Sequence, residues 1–95
     1  MTYELEFKKS ALKEWNKLGA TLKEQFKKKL SEVLKKPRIP SAKLTGANDL
    51  YKIKLRQAGY RLVYEVNDKI VTITIVSVGK RERGKVYKDA MNRTS

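Results

Sequence analysis

Lys52, Lys54 and Arg56 stand at alternate positions of one apolar–polar run, and Arg61 lies near the start of the next. Alternate residues of a strand share a face, so these cations gather on one side of a sheet. Like charges on neighbouring strands destabilise it, and a face that holds four of them is suited to an anion. One reaction fits such a face well. RNA carries its own nucleophile, the ribose 2′-OH, beside the scissile phosphate. A protein cleaves there by holding that geometry, stabilising the charged phosphorane and helping two proton transfers. Arg and Lys perform the first two tasks. For proton abstraction, an isolated Lys sits near pKa 10.4, but one crowded by cations has its charged form disfavoured and its pKa falls. Lys54, among Lys52, Arg56 and Arg61, is the best-placed residue for that role. Arg81 converges on the same end of the sheet. Tyr87, among Arg83, Lys85 and Lys88, carries a phenol that can stack on a base or hydrogen-bond a ribose hydroxyl.

The charge of the whole chain agrees with an anionic partner. Its 95 residues include 23 Lys and Arg against 10 Asp and Glu, a formal net charge of +13. Hydrophobic residues make up 40%, with one Trp, five Tyr and two Phe, which argues for a packed core rather than a disordered basic tail. A folded basic domain points first to nucleic acid, with an anionic membrane surface or an acidic protein as lesser options. The lysines of Lys27-Lys28-Lys29 and Lys35-Lys36 need no anion, because an exposed helix face is their ordinary place.

The length suits a single domain over residues 1–95. There is no Cys and no His, hence no disulfide framework, no thiolate zinc site and none of the commonest metal ligand. No carboxylate pair stands out as a metal clamp, and neither metal nor cofactor is expected. The apolar run over 70–78 is interrupted by Thr72, Thr74 and Ser77 and is too short to span a membrane. Glu4 and Glu6 do not suit a secretion leader. A cytoplasmic protein without a membrane partner is the expectation.

The elements that must position the cations follow from hydrophobic period. Tyr3, Leu5 and Phe7 alternate as in a strand. Ser10 is a candidate cap for a helix carrying Ala11, Leu12, Trp15 and Leu18, with Gly19 ending it in the left-handed conformation. Thr21 and Glu24 have the spacing of a capping box for a second helix, whose stripe is Leu22, Phe26, Leu30, Val33 and Leu34. Pro37 stops it. Residues 50–56, 60–66 and 70–78 read as strands, joined at Gln57-Ala58-Gly59 and Asn67-Asp68. The need to bury Tyr51, Ile53, Leu55, Leu62 and Tyr64 together predicts Arg56 opposite Arg61, Leu55 opposite Leu62 and Ile53 opposite Tyr64. Across the second turn it predicts Tyr64 opposite Val71, Leu62 opposite Ile73 and Arg61 opposite Thr74. Gly46, Gly59 and Gly79 are expected in turns, and Tyr60 in the core with Tyr51 and Tyr64. Residues 85–93 read as a short C-terminal helix. The expected fold is α+β: a small antiparallel sheet, a helical hairpin on one face and a basic concavity on the other.

Several stretches resemble the RelE family of bacterial toxin–antitoxin ribonucleases: Ala11-Leu12-Lys13-Glu14-Trp15, Tyr51-Lys52-Ile53-Lys54-Leu55-Arg56, Gly59-Tyr60-Arg61-Leu62-Val63-Tyr64, Ser77-Val78-Gly79-Lys80-Arg81-Glu82-Arg83 and Val86-Tyr87. The resemblance implies a toxin of microbial ribonuclease-like fold that enters the ribosomal A site and cuts messenger RNA there. It implies Lys52, Lys54, Arg61, Arg81 and Tyr87 as the catalytic set, with Arg56, Lys80, Arg83 and Lys43 as contacts to RNA or the ribosome. The implied partners are messenger RNA, the 70S ribosome through its ribosomal RNA, a RelB-type antitoxin and, through that antitoxin, operator DNA. Two other functions compete: a basic RNA-binding module without turnover, and a corepressor acting with a DNA-binding antitoxin.

Overall fold

A computed structural model describes residues 2–82 and 84–94. The order is β1 (Glu4–Phe7), α1 (Lys9–Asn16), α2 (Ala20–Val33), a 3-10 turn (Pro40–Ala42), β2 (Leu50–Leu55), β3 (Tyr60–Asn67), β4 (Thr72–Lys80) and α3 (Lys85–Thr94). The α+β class, the helical hairpin and the C-terminal helix are as expected. The sheet is mixed rather than antiparallel, in the order β1-β4-β3-β2. β2, β3 and β4 form an antiparallel meander, while β1 runs parallel to β4, Glu4 opposite Thr72 and Phe7 opposite Ile75. Parallel strands need a crossover. The α1–α2 hairpin is the first part of it, and carries the chain over the sheet to the far edge. The meander then brings β4 back beside β1.

The helices start differently from the sequence expectation. Lys8 is the N-cap of α1, which leaves Ser10 inside the helix. Gly19 is not left-handed. With φ −70° and ψ 162° it N-caps α2 through its carbonyl, which accepts the Lys23 N–H at 3.1 Å. Thr21 therefore falls within the first turn, and no side chain caps either helix.

The buried stripe of the hairpin meets one sheet face. Ala11, Trp15, Phe26 and Leu30 pack on Ile53, Leu62, Tyr64, Ile73 and Ile75. Phe7, Trp15 and Phe26 form a tilted aromatic run, with ring centroids 5.5 and 6.1 Å apart. Tyr51 and Tyr64 stack at 5.6 Å, and the buried Tyr64 hydroxyl donates to the Pro37 carbonyl at 2.8 Å. The opposite face is only partly a basic concavity. Leu44, Leu50, Val63, Val76, Val86 and Ala90 make a second, smaller core there, and α3 covers it.

The strand registers also differ. Ile53 lies opposite Leu62, Lys54 opposite Arg61 and Tyr51 opposite Tyr64. Four residues, 56–59, lie between the paired Leu55 and Tyr60 where the expected register left 57–60, and the Gly59 N–H closes the turn by donating to the Leu55 carbonyl at 2.9 Å with Gly59 at φ +71°. The displacement is even, so every side chain keeps its face. Between β3 and β4, Asn67 pairs with Thr72, and residues 68–71 form the connection, with Val71 at φ 51°. Asn67 Oδ1 accepts the N–H groups of Lys69 and Ile70 there. Farther along, Val63 pairs with Ser77 but Tyr64 with Ile75, a β-bulge at Val76. The bulge changes the phase of β4, so Ile73, Ile75 and Val78 all enter the main core while Val76 enters the second. Among the described residues, no helix is long and apolar enough to cross a membrane.

Candidate active site

β2 and β3 present Lys52, Lys54 and Arg61 on the face away from the hairpin. Lys54 and Arg61 are directly opposite each other, where the sequence register had set Arg56 opposite Arg61. Direct opposition of two cations is unfavourable in a sheet, and the structure adds a third and a fourth. The Arg81 N–H donates to the Gly59 carbonyl at 2.7 Å, tying the chain beyond β4 to the β2–β3 turn. Arg81 thereby joins Lys54, Arg56, Gly59, Tyr60 and Arg61 around a pocket of about 320 Å³. No carboxylate forms an ion pair with Lys52, Lys54, Arg61 or Arg81 among the described residues. The cations are gathered and left for an anion from outside.

The field of this cluster acts on Lys54. Lys52 is the largest influence, followed by desolvation and then Arg61, Arg56 and Arg81; together they hold the Lys54 ammonium below the usual lysine pKa. This is the crowding that makes a lysine a better proton acceptor near neutrality.

α3 supplies the aromatic partner. Val86 and Ala90 are buried in the second core, which leaves Tyr87 half-buried beside the cations. Arg61 Nη1 donates to the Tyr87 hydroxyl at 3.0 Å. The Arg61 guanidinium carbon lies 5.7 Å and Lys52 Nζ 5.9 Å from the ring centroid. A phenol that accepts from Arg61 keeps its own proton to donate.

The structure therefore joins all five residues of the expected catalytic set, with Arg56 at the pocket rim. Lys80 and Lys43 do not line the pocket. Lys80 is opposite Tyr60, in the register position that shares the helical face, and Lys43 bridges Tyr51 near the far end of β2. Arg83 lies outside the described residues. Two contributors escape the sequence pattern. Tyr60 packs only partly on the main core and also lines the pocket. Gly79 is not a turn residue: it lies under α3, where a Cβ would stand 3.3 Å from Val86 Cγ2, so its bare backbone permits the close seating of the helix. Neither role leaves a periodic signal. Among the described residues, no group of acidic side chains is arranged to hold a metal ion.

A family model described as the ParE toxin of the type II toxin–antitoxin system parDE matches residues 5–84. The mRNA interferase toxin RelE of Escherichia coli (strain K12) is 59% identical over 93 residues, 98% of each chain. Among solved structures, a free-state mutant of E. coli toxin RelE superposes with a TM-score of 0.91 at 56% identity, covering 100% of both chains. The toxin in the intact E. coli RelBE toxin–antitoxin complex gives 0.82 at 60% identity, covering 85% of this chain and 99% of that one.

Proposed function

This chain belongs to the ParE-type toxin family of type II toxin–antitoxin systems, with RelE toxins among its relatives, and on that premise we propose that it is an endoribonuclease that cuts messenger RNA in the ribosomal A site. The observation that carries the reading is the unpaired pocket where Lys54 opposes Arg61 and Arg61 holds the Tyr87 phenol.

The reaction is a transesterification. The 2′ oxygen attacks phosphorus as its proton passes to neutral Lys54, the bond to the 5′ oxygen of the next nucleotide breaks, and that oxygen takes a proton from water. The products are a 2′,3′-cyclic phosphate upstream and a 5′-hydroxyl downstream. Lys52 and Arg61 hold the phosphate and meet the charge that develops on its oxygens. Arg81 supports the departing oxygen by charge and hydrogen bonding, because a guanidinium does not release its proton usefully. Arg56 guides the adjoining backbone.

The ribosome supplies what so small a pocket lacks, a message strand held in one conformation, and the net charge of +13 suits docking among ribosomal RNA phosphates. The setting is then the cytoplasm. A RelB-type antitoxin neutralises the activity, a partnership supported by the toxin–antitoxin complex whose toxin this chain resembles. Primer extension on message from translating ribosomes, with and without the protein, tests the reading. Sharp cuts within the A-site codon are expected; an unbroken message would contradict it.

A further inference from the structure

α3 is too short to be stable by itself in water, since isolated helices below roughly 12 to 15 residues are marginal. Its position depends on anchors. At its N-terminal end Val86 sits over Gly79, and the Ser77 hydroxyl donates to the Val86 carbonyl at 2.6 Å. At its C-terminal end Arg93 reaches across the sheet edge. Nη1 donates to Glu14 Oε1 of α1 at 2.9 Å and to the Val76 carbonyl at 2.8 Å, while Nη2 donates to Glu14 Oε2 at 3.2 Å. Glu14 Oε1 also accepts the Val78 N–H at 3.1 Å. Asp89, on α3 itself, lies 3.9 Å from Arg93 Nη2.

The location of this clamp gives it meaning. β1 pairs with β4 only as far as Ile75. Beyond that point no strand among the described residues lies beside the outer edge of β4, and the Val76 carbonyl and Val78 N–H need other partners. Glu14 and Arg93 provide them, at the bulge that also lets Val76 face α3. One bidentate pair thus fastens α1, the free edge of β4 and the last turn of α3. The side chains are 27% and 24% exposed, so the pair is screened less than an open surface bridge.

We propose that Glu14 and Arg93 are positioning residues for cleavage: their clamp on the β4 edge fixes α3 in the orientation that sets the Tyr87 phenol against Arg61. The proposal rests on the ribonuclease reading of that site. Neither residue lines the cationic pocket. Arg93 lies about 9 Å along the helix axis from Tyr87, and acts on the reaction only through the helix. With the clamp broken, α3 retains its apolar seat at Val86 and Ala90 but loses the contact that sets its direction.

The test is single-turnover cleavage of A-site message on programmed ribosomes, with thermal unfolding measured beside it. Arg93→Gln is expected to slow the cleavage step on the order of 10- to 100-fold, with little change in the ribosome concentration that gives half-saturation. Arg93→Lys, which keeps the charge, should recover part of the rate. Added to Tyr87→Ala, Arg93→Gln should cost almost nothing more, because the group it positions is already gone. Full multiplicative losses, or a wild-type rate in Arg93→Gln, would overturn the proposal. Should Arg93→Gln fail to fold, Arg93→Lys carries the same double-mutant comparison. A wild-type protein that cuts nothing on the ribosome would fail the ribonuclease reading instead. The ring-proton shifts of Tyr87 then decide: movement in the Arg93 variant supports the clamp, and unchanged shifts overturn it.

Discussion

Arg61 of β3 and Tyr87 of α3 are joined by a hydrogen bond of 3.0 Å, and that contact turns a basic sheet face into an organised site. The guanidinium fixes the phenol, the phenol covers Lys52, and Lys54 faces Arg61 across the strand pair. Lys52, Arg61 and Arg81 all act on Lys54 as like charges, and none of the four has a carboxylate partner among the described residues.

Removal of single cations should separate roles. Arg61→Ala and Arg81→Ala each take away transition-state stabilisation and should slow single-turnover cleavage by about 100-fold or more. Tyr87→Phe keeps the ring and loses the hydroxyl, so it divides stacking from hydrogen bonding. Lys28→Ala, on the exposed face of α2, should leave the rate close to that of the parent. An Arg81→Ala protein cutting at the parental rate would remove Arg81 from the reaction.

The pH dependence follows from the Lys54 environment. Lys54 accepts a proton only when neutral, so the rate rises with pH through its pKa. Its neighbours hold that pKa below the ordinary lysine value, Lys52 most of all. Lys52→Met removes the largest of these influences. The rising limb should then move to higher pH, as well as lose height. A limb that stays in place would assign the proton transfer to another group.

Much of this site was legible in the sequence because strand period forces it: a shift by an even number of residues leaves Lys52, Lys54 and Arg61 on one face whatever the turn. The turns themselves were not legible. Nothing in Asn67-Asp68 announces that Val71 adopts a positive φ, and the apolar residues Ile73, Ile75, Val76 and Val78 read as one run whether or not Val76 bulges. The second core was hidden for a related reason. Leu44 and Val63 are distant in sequence from Val86 and Ala90, and only the packing of α3 makes one cluster of them. Gly19 looked like the end of α1, but α1 stops at Asn16 with Lys17 as its C-cap, and Gly19, in extended backbone, begins α2.

At the opposite end of the sheet, Arg38 bonds Asp68 at 2.7 and 2.9 Å, Asp49 at 2.9 Å and the Tyr51 hydroxyl at 3.2 Å, and the Tyr3 hydroxyl donates to Asp68 at 2.7 Å. Arg38 first, then Tyr3, hold the Asp68 carboxyl below its usual range. A depressed carboxyl contributes stability above its unfolded pKa and loses it as pH falls through the folded value. Arg38→Ala should therefore lower the Tm at neutral pH, and the gap from the parent should narrow in acid. Thermal unfolding across a pH series checks this; a gap that widens in acid would contradict it.

Association with the ribosome should weaken steeply as salt rises, because a domain of net charge +13 releases counterions when it docks on RNA. Affinity measured over a salt series reads the slope directly. A flat dependence would place the docking energy in apolar contacts instead.

On the proposed reading, the substrate supplies its own nucleophile while Lys52, Lys54, Arg61, Arg81 and Tyr87 hold and balance charge around it. The most direct measurement is the mass of the two new ends after a single turnover on the ribosome. A 2′,3′-cyclic phosphate upstream and a 5′-hydroxyl downstream are predicted, and a 2′-methoxy group at the scissile nucleotide should abolish the cut. A 5′-phosphate on the downstream fragment would rule out attack by the 2′-OH.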